Sequence, residues 1–276
     1  MKMIHNHGMD DFKILMDEMK LRGYSKKTIC FYAHLNKRFL MYAKKSPREV
    51  TRKDIESYLV SIYDWGRASA TRHLYCSALK FYYETVLKRK FNIPYPKKSN
   101  KLPVVLSRDE IGSMINSLKN QKHRMLLELL YGSGLRLGEA IKIKAEDICI
   151  QQKTLFIHSG KGDKDRIANL SGIFIDEFLG SGIKSGYLFE SAQHPESHIH
   201  PRTAQSIVKC ALQKAGIIKK AHCHTLRTSY ATHLIENGVD ISYVQKLLGH
   251  ARISTTQAYI RLGDSSLRAI KSPLDQ

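Results

Sequence analysis

The chain has 276 residues, enough for one large domain or two of ordinary size, and its 42% hydrophobic content can fill a core, which excludes wholesale disorder. A formal charge of +20 calls for a polyanionic partner. No apolar run approaches a membrane span and MKMIHNHGMDDF carries no signal-peptide core, so nucleic acid fits better than a membrane surface.

Residues 11–92 are expected to be helical. Phe12, Leu15, Met16 and Met19 follow a 3.6-residue period that ends near Gly23. Ser25 is a candidate N-cap for a second helix with Ile29, Tyr32, Leu35, Phe39 and Tyr42 on its apolar stripe. Thr51 opens a third through Ile55, Tyr58, Leu59 and Ile62. A fourth, from Ser69 to Leu87, carries Leu74, Ala78, Phe81, Tyr82 and Val86, with Arg67, Arg72 and Lys80 opposite. The stretch 88–103 then breaks the pattern with Pro94, Pro96, Pro103 and many cations, the composition of an exposed interdomain linker. The division expected is a helical domain over 1–93, a linker over 94–103 and a second domain over 104–276.

Beyond the linker, Ser107 and Glu110 form an S-x-x-E capping box. Helices are expected from Lys122 to Tyr131 and again over 138–145. Alternating β-branched runs at 147–151, 154–158 and 166–170 predict a small antiparallel sheet, with Lys161 in the Gly160–Gly162 turn. Helices return from Thr203, punctuated at Gly216, Asn237-Gly238 and Gly249. The fold class is thus mainly α with a small antiparallel β-sheet in the C-terminal domain. The five cysteines (Cys30, Cys76, Cys149, Cys210, Cys223) are odd in number and scattered, as expected of reduced, mostly buried thiols in a cytoplasmic protein. Cys223 lies between His222 and His224, but no second ligand pair follows at finger-like spacing, so no metal is assigned.

Six residues form a set suited to phosphodiester exchange: Arg136, Lys161, His224, Arg227, His250 and Tyr259. Such a reaction loads negative charge onto two non-bridging oxygens, and the planar fork of arginine meets them with two parallel hydrogen bonds. Arg136 and Arg227 are the candidates. His224 lies three residues before Arg227, on the same helix face, and imidazole titrates close to neutrality. Leu226, Tyr230, Leu234 and Ile235 form the buried stripe expected there, with His224 and Arg227 displayed beside it. Asp240 caps a helix with Val244, Leu247 and Leu248 on its apolar face, and His250 follows its end at Gly249. Ser254 and Gln257 form an S-x-x-Q box that sets Tyr259 on a short helix, where cations would stabilise its phenolate. Lys161 could protonate a departing 5′-alkoxide. No Walker sequence is present, which disfavours ATP hydrolysis.

With GLRLGE, GKGDKDR, HTLR…ATHLIENG, QKLLGHARISTTQAY and SLRAIKSPLD in order, the chain resembles the tyrosine recombinase/integrase family, and most closely its Xer-like members, over nearly its whole length. The resemblance implies a SAM-like core-binding domain followed by a catalytic domain. Arg136 and Arg227 would clamp the scissile phosphate, His224 and His250 would bond it or handle protons, and Lys161 would protonate the leaving oxygen. Tyr259 would form a 3′-phosphotyrosyl link that conserves the energy of the broken bond, so neither cofactor nor metal is implied. Glu139 matches the family's acidic residue, with a positional role. Thr228 departs from the histidine that often follows the second arginine. Residues 264–276, anchored by Leu267 and Ile270, resemble a tail donated to a neighbouring protomer. This implies a homo-tetramer on two DNA duplexes with paired inverted half-sites, with or without a paralogous recombinase. Chromosome dimer resolution and mobile-element integration or excision both fit. The competing readings are strand relaxation in the manner of a type IB topoisomerase, and a DNA-binding protein without catalysis.

Overall fold

A computed structural model describes residues 12–97, 103–158 and 165–249. The chain divides into two compact units that meet in sequence at Lys101 and Leu102. In the first, α1 (Lys13–Leu21), α2 (Lys26–Ala43), α3 (Arg52–Asp64) and α4 (Ser69–Lys80) follow one another closely. The starts of α2 and α3 are chemically marked, as expected. The Ser25 hydroxyl accepts from the Thr28 N–H at 3.2 Å, and Thr51 and Asp54 close a capping box on α3.

The expected single helix from Ser69 to Leu87 is interrupted. After Lys80 the chain widens into a π turn, Phe81–Val86, closed by the Leu87 N–H on the Tyr82 carbonyl. The extra residue rotates two neighbours, Tyr82 and Tyr83, into the core together. Leu74, expected on the apolar face, is instead exposed, because α2 and α3 cover the side that carries Tyr75, Cys76, Ala78 and Leu79. Asn36, fully buried, donates through Nδ2 to the Tyr32 and Ala78 carbonyls and so ties α2 to α4.

The stretch expected to be an exposed linker is docked on the first unit as far as Lys97. The Arg89 guanidinium donates to the Pro47, Arg48 and Val50 carbonyls at 3.0, 2.9 and 2.8 Å. Ile93 is buried, Tyr95 stacks on His73, and the Ser69 hydroxyl donates to the Lys97 carbonyl at 2.6 Å. Proline denies this segment a regular hydrogen-bond ladder, so side chains from the helices satisfy its neighbours instead.

The second unit opens with α5 (Arg108–Asn116), where the Ser107–Glu110 capping box is present, and continues with α6 (Gln121–Gly132). The helix expected over 138–145 is a single turn, α7 (Leu137–Ala140). Beyond it the backbone pairs instead with residues far along the chain: the Ala145 N–H donates to the Gly186 carbonyl, and the Leu188 N–H donates to the Ile143 carbonyl. A 3-10 turn (Ala145–Asp147) leads into a three-stranded antiparallel sheet, β1 (Ile148–Cys149), β2 (Thr154–Ile157) and β3 (Arg166–Asn169). Leu155 faces Ala168 and Ile157 faces Arg166 across the β2–β3 ladder.

Then come α8 (Gly172–Gly180), α9 (Pro201–Lys214), α10 (Cys223–Glu236) and α11 (Ile241–Leu248). Helix α10 packs against α6 and α11. Among the described residues no helix is long and apolar enough to cross a membrane. Of the cysteines, Cys76 and Cys223 are buried but Cys30, Cys149 and Cys210 are exposed, contrary to the expectation that most would be buried.

Candidate active site

Three of the six candidate residues, Arg136, His224 and Arg227, lie in the described structure. Lys161, His250 and Tyr259 lie outside the described residues, as do the Ser254–Gln257 box and the segment 264–276.

Arg136 stands at the N-cap of α7, where its extended backbone lets the N–H donate to Glu139 Oε2 at 2.8 Å while the guanidinium bonds Glu139 Oε1 at 2.7 Å. Arg227 comes from the middle of α10 and donates to the Gly134 and Leu248 carbonyls, with Glu139 Oε2 3.9 Å away. One carboxylate therefore gathers two candidate phosphate ligands that stand 91 residues apart in the sequence. Both arginines can keep their charge here because buried charge is tolerable where it is paired and hydrogen-bonded.

Arg227 is fully buried, not displayed beside an apolar stripe as expected. Between Thr225 and His233 every residue of α10 is buried, and the helix has no polar face over that span. Small side chains (Thr225, Thr228, Ser229, Ala231, Thr232) let neighbouring elements approach it from all sides. Leu226 and Tyr230 are buried as expected, while Leu234 and Ile235 are only half-buried.

His224 does face solvent at the first turn of α10. Partial desolvation, then the positive charges of Arg227, His222 and Arg136, lower its pKa below the usual histidine value. The ring is accordingly neutral near pH 7 and able to accept a proton. It stands close enough to both arginines to feel their charge.

Close approach of the chain makes two glycines necessary. Gly134, whose carbonyl receives Arg227, has φ +59°, and a Cβ there would stand 2.4 Å from the Tyr230 ring. Gly249 ends α11 at φ +61° in the left-handed C-cap conformation. Beside Arg136 a cleft of about 790 Å³ is lined also by Glu139, Lys142, Lys144, Asp147, His158 and Tyr187, so that Arg136 and two lysines face it along with two carboxylates.

From the sequence Glu139 has a positional role but no named partners, and Arg166 is not singled out. Glu139 is the hub: burial alone would raise its carboxyl, but hydrogen bonds from Arg166 and the Arg136 N–H, with the Arg166 charge, hold it down to about 2. Arg166, at the start of β3, is the member the sequence reading missed, and it grips Glu139 with both terminal nitrogens, at 2.9 and 2.7 Å. A signal for it existed. Strand alternation puts Arg166 on the same face as the buried Ala168, and an arginine on the inner side of a strand needs a partner. Among the described residues no group of three or more His, Cys, Asp or Glu is placed to hold a metal ion.

A model of the phage integrase family matches residues 104–265, and one of the phage integrase N-terminal SAM-like domain matches residues 12–93. The chain is 33% identical to tyrosine recombinase XerA of Pyrococcus horikoshii, covering 91% of this chain and 88% of that protein. It is 33% identical to tyrosine recombinase XerD of Oceanobacillus iheyensis, covering 90% and 91%. Among solved structures, XerA recombinase superposes with a TM-score of 0.54 at 30% identity, over 94% of this chain and 96% of that one. A post-cleavage complex of XerH site-specific recombinase with palindromic difH substrate gives a TM-score of 0.76 at 23% identity, over 98% and 86%, a likeness of fold.

Proposed function

We propose that this chain, which belongs to the phage integrase family and is a tyrosine site-specific recombinase, cuts each DNA strand with the Tyr259 phenol and reseals it without a cofactor. The convergence of Arg136 and Arg227 on Glu139, with His224 beside them, carries this reading. Phosphate would enter from the cleft against Arg136, and Arg227 would exchange its carbonyl partner at Leu248 for a non-bridging oxygen. The phenolic oxygen attacks phosphorus in line, the bond to the 5′ oxygen breaks, and a 3′-phosphotyrosyl bond forms. Neutral His224 takes the phenol's proton, Lys161 supplies one to the departing 5′ oxygen, and His250 donates a hydrogen bond to the phosphate. The 5′ hydroxyl of a partner strand then reverses the step.

The first unit serves as the core-binding domain and residues 104–276 as the catalytic domain, each contacting duplex DNA with inverted half-sites. Excess positive charge in both parts of the chain supports this: residues 1–100 carry 21 Lys and Arg against 9 Asp and Glu, and 101–276 carry 24 against 16. Segment 264–276 docks on an adjacent protomer in a homo-tetramer, alone or with a paralogous recombinase, and the protein works in the cytoplasm. Relatives include both XerD and a putative integrase/recombinase of Sinorhizobium fredii. Sequencing the DNA that crosslinks to the protein distinguishes the two jobs: a single chromosomal site means dimer resolution, and the ends of a mobile element mean integration.

The chemistry is tested on a nicked suicide substrate carrying the cognate site, resolved on a denaturing gel. Wild type should give a covalent protein–DNA adduct. Tyr259→Phe should bind the same DNA and give none; an adduct with that variant would move the nucleophile elsewhere.

A further inference from the structure

The end of α11 presents three consecutive carbonyls, and each is taken by a different arginine. Arg166 Nε donates to Leu247 at 3.3 Å, Arg227 to Leu248, and Arg136 to Gly249 at 3.3 Å. The last carbonyls of a helix have no partner within it and concentrate its negative partial charge, so a cationic cap suits them. All three guanidiniums also surround Glu139. The element that leads directly to His250 and Tyr259 is thereby fastened to the residues proposed to clamp phosphate.

Arg166 differs from the other two in this group. Its side chain is only 10% exposed, and all three guanidinium nitrogens are engaged, two on Glu139 and one on Leu247. Three of its five N–H groups are so used, and it is not among the residues that line the cleft beside Arg136. It also lies against Gly249 so closely that a Cβ there would stand 2.9 Å from Arg166 Cδ. We infer that Arg166 is a positioning residue for strand cleavage: it holds the Glu139 carboxylate that orients Arg136, and it fixes where the chain leaves α11. The inference rests on the proposed clamp, and it adds a residue that acts through others and touches no DNA.

The test separates rate from affinity and from the amount of competent protein. Single-turnover cleavage of the suicide substrate is followed at saturating DNA for wild type, Arg166→Gln, Arg166→Lys and Gly249→Ala, with burst amplitude and Kd measured on the same samples. Arg166→Gln should cleave roughly 10–100-fold more slowly, the scale on which a misplacement of about 1 Å acts. Its amplitude should match wild type and its Kd should stay within about twofold, since no phosphate contact is lost. Lysine should recover little, because an ammonium lacks the planar fork that meets both Glu139 oxygens while Nε serves the Leu247 carbonyl. Gly249→Ala should slow cleavage without removing any charge, and it carries the test if Arg166→Gln proves insoluble. Cleavage at the wild-type rate by Arg166→Gln, or by Gly249→Ala where that variant stands in, overturns the inference; so does a loss confined to amplitude. Absence of an adduct from wild type would instead count against the recombinase chemistry itself.

Discussion

The two units solve the problem of their interiors in opposite ways. The first is filled by neutral rings: Phe39 lies 5.2 Å from Tyr58 and 6.0 Å from Tyr83, and Tyr58 lies 5.9 Å from Tyr75, centroid to centroid. Among its described residues, Asn36 is the buried polar side chain outside the aromatics. The second buries Arg227, Glu128, His233 and a run of hydroxyl side chains on α10. Rings stabilise by buried area and geometry, with no charge to be matched. A buried ion cluster adds little net stability, yet punishes loss of a single partner. The first unit is therefore held by apolar packing, and the second also holds charge in one place.

Breaking the contrast at its extreme gives the largest effect. Arg227→Met leaves the buried Gly134 and Leu248 carbonyls without their donor and takes one of three guanidiniums from around Glu139, and urea denaturation should show a loss of roughly 3–5 kcal/mol. A variant as stable as wild type would mean that the cluster does not organise the second unit. Arg136→Lys keeps charge but loses the fork. Cleavage at saturating DNA should fall about 100-fold while affinity changes within about twofold. Equal rates would remove Arg136 from the phosphate site.

Glu128 sharpens the comparison, because it is a buried charge without an adequate partner. Its Oε2 has no hydrogen-bond partner among the described residues, and desolvation, then repulsion from Glu177, pushes its carboxyl up to about 7 despite Arg124. The folded pKa stands above the unfolded one, so the group costs nothing below about pH 4.5 and destabilises as pH rises through about 7. Glu128→Gln mimics the protonated form. It should stabilise by roughly 2 kcal/mol at pH 8.5 and hardly at all at pH 4.5, read from thermal unfolding at both values. A pH-independent effect would mean that Glu128 does not titrate there.

The smallest change belongs to the first unit. The Tyr83 hydroxyl is buried with no hydrogen-bond partner among the described residues, and burial pushes its pKa well above the usual tyrosine value. Tyr83→Phe should leave stability unchanged or raise it by about 1 kcal/mol, as a chemical denaturation curve would show. A clear loss would point to a polar partner for that ring.

Local chemistry made much of this molecule legible in one dimension. Ser25, Thr51, Ser107 and Asp240 each cap a helix where the sequence places them, because capping depends on residues within one turn. Alternation found the three strands, and the ordered motifs found the family. Other features needed neighbours distant in sequence. The π turn after Lys80, the docking of 88–97 on the first unit, and the single turn where a helix was expected over 138–145 are set by packing against remote segments.

Arg227 shows the boundary most clearly. Sequence determined that an arginine stands three residues after His224 on a helix; only the fold decided that it is enclosed and shares Glu139 with Arg136 and Arg166. Periodicity detects a helix with one wet face, and α10 has none over its central turns, because small residues let other elements close around it. Which carboxylate meets which guanidinium depends on chain segments that become neighbours only after folding, and Glu139 gathers arginines from three of them.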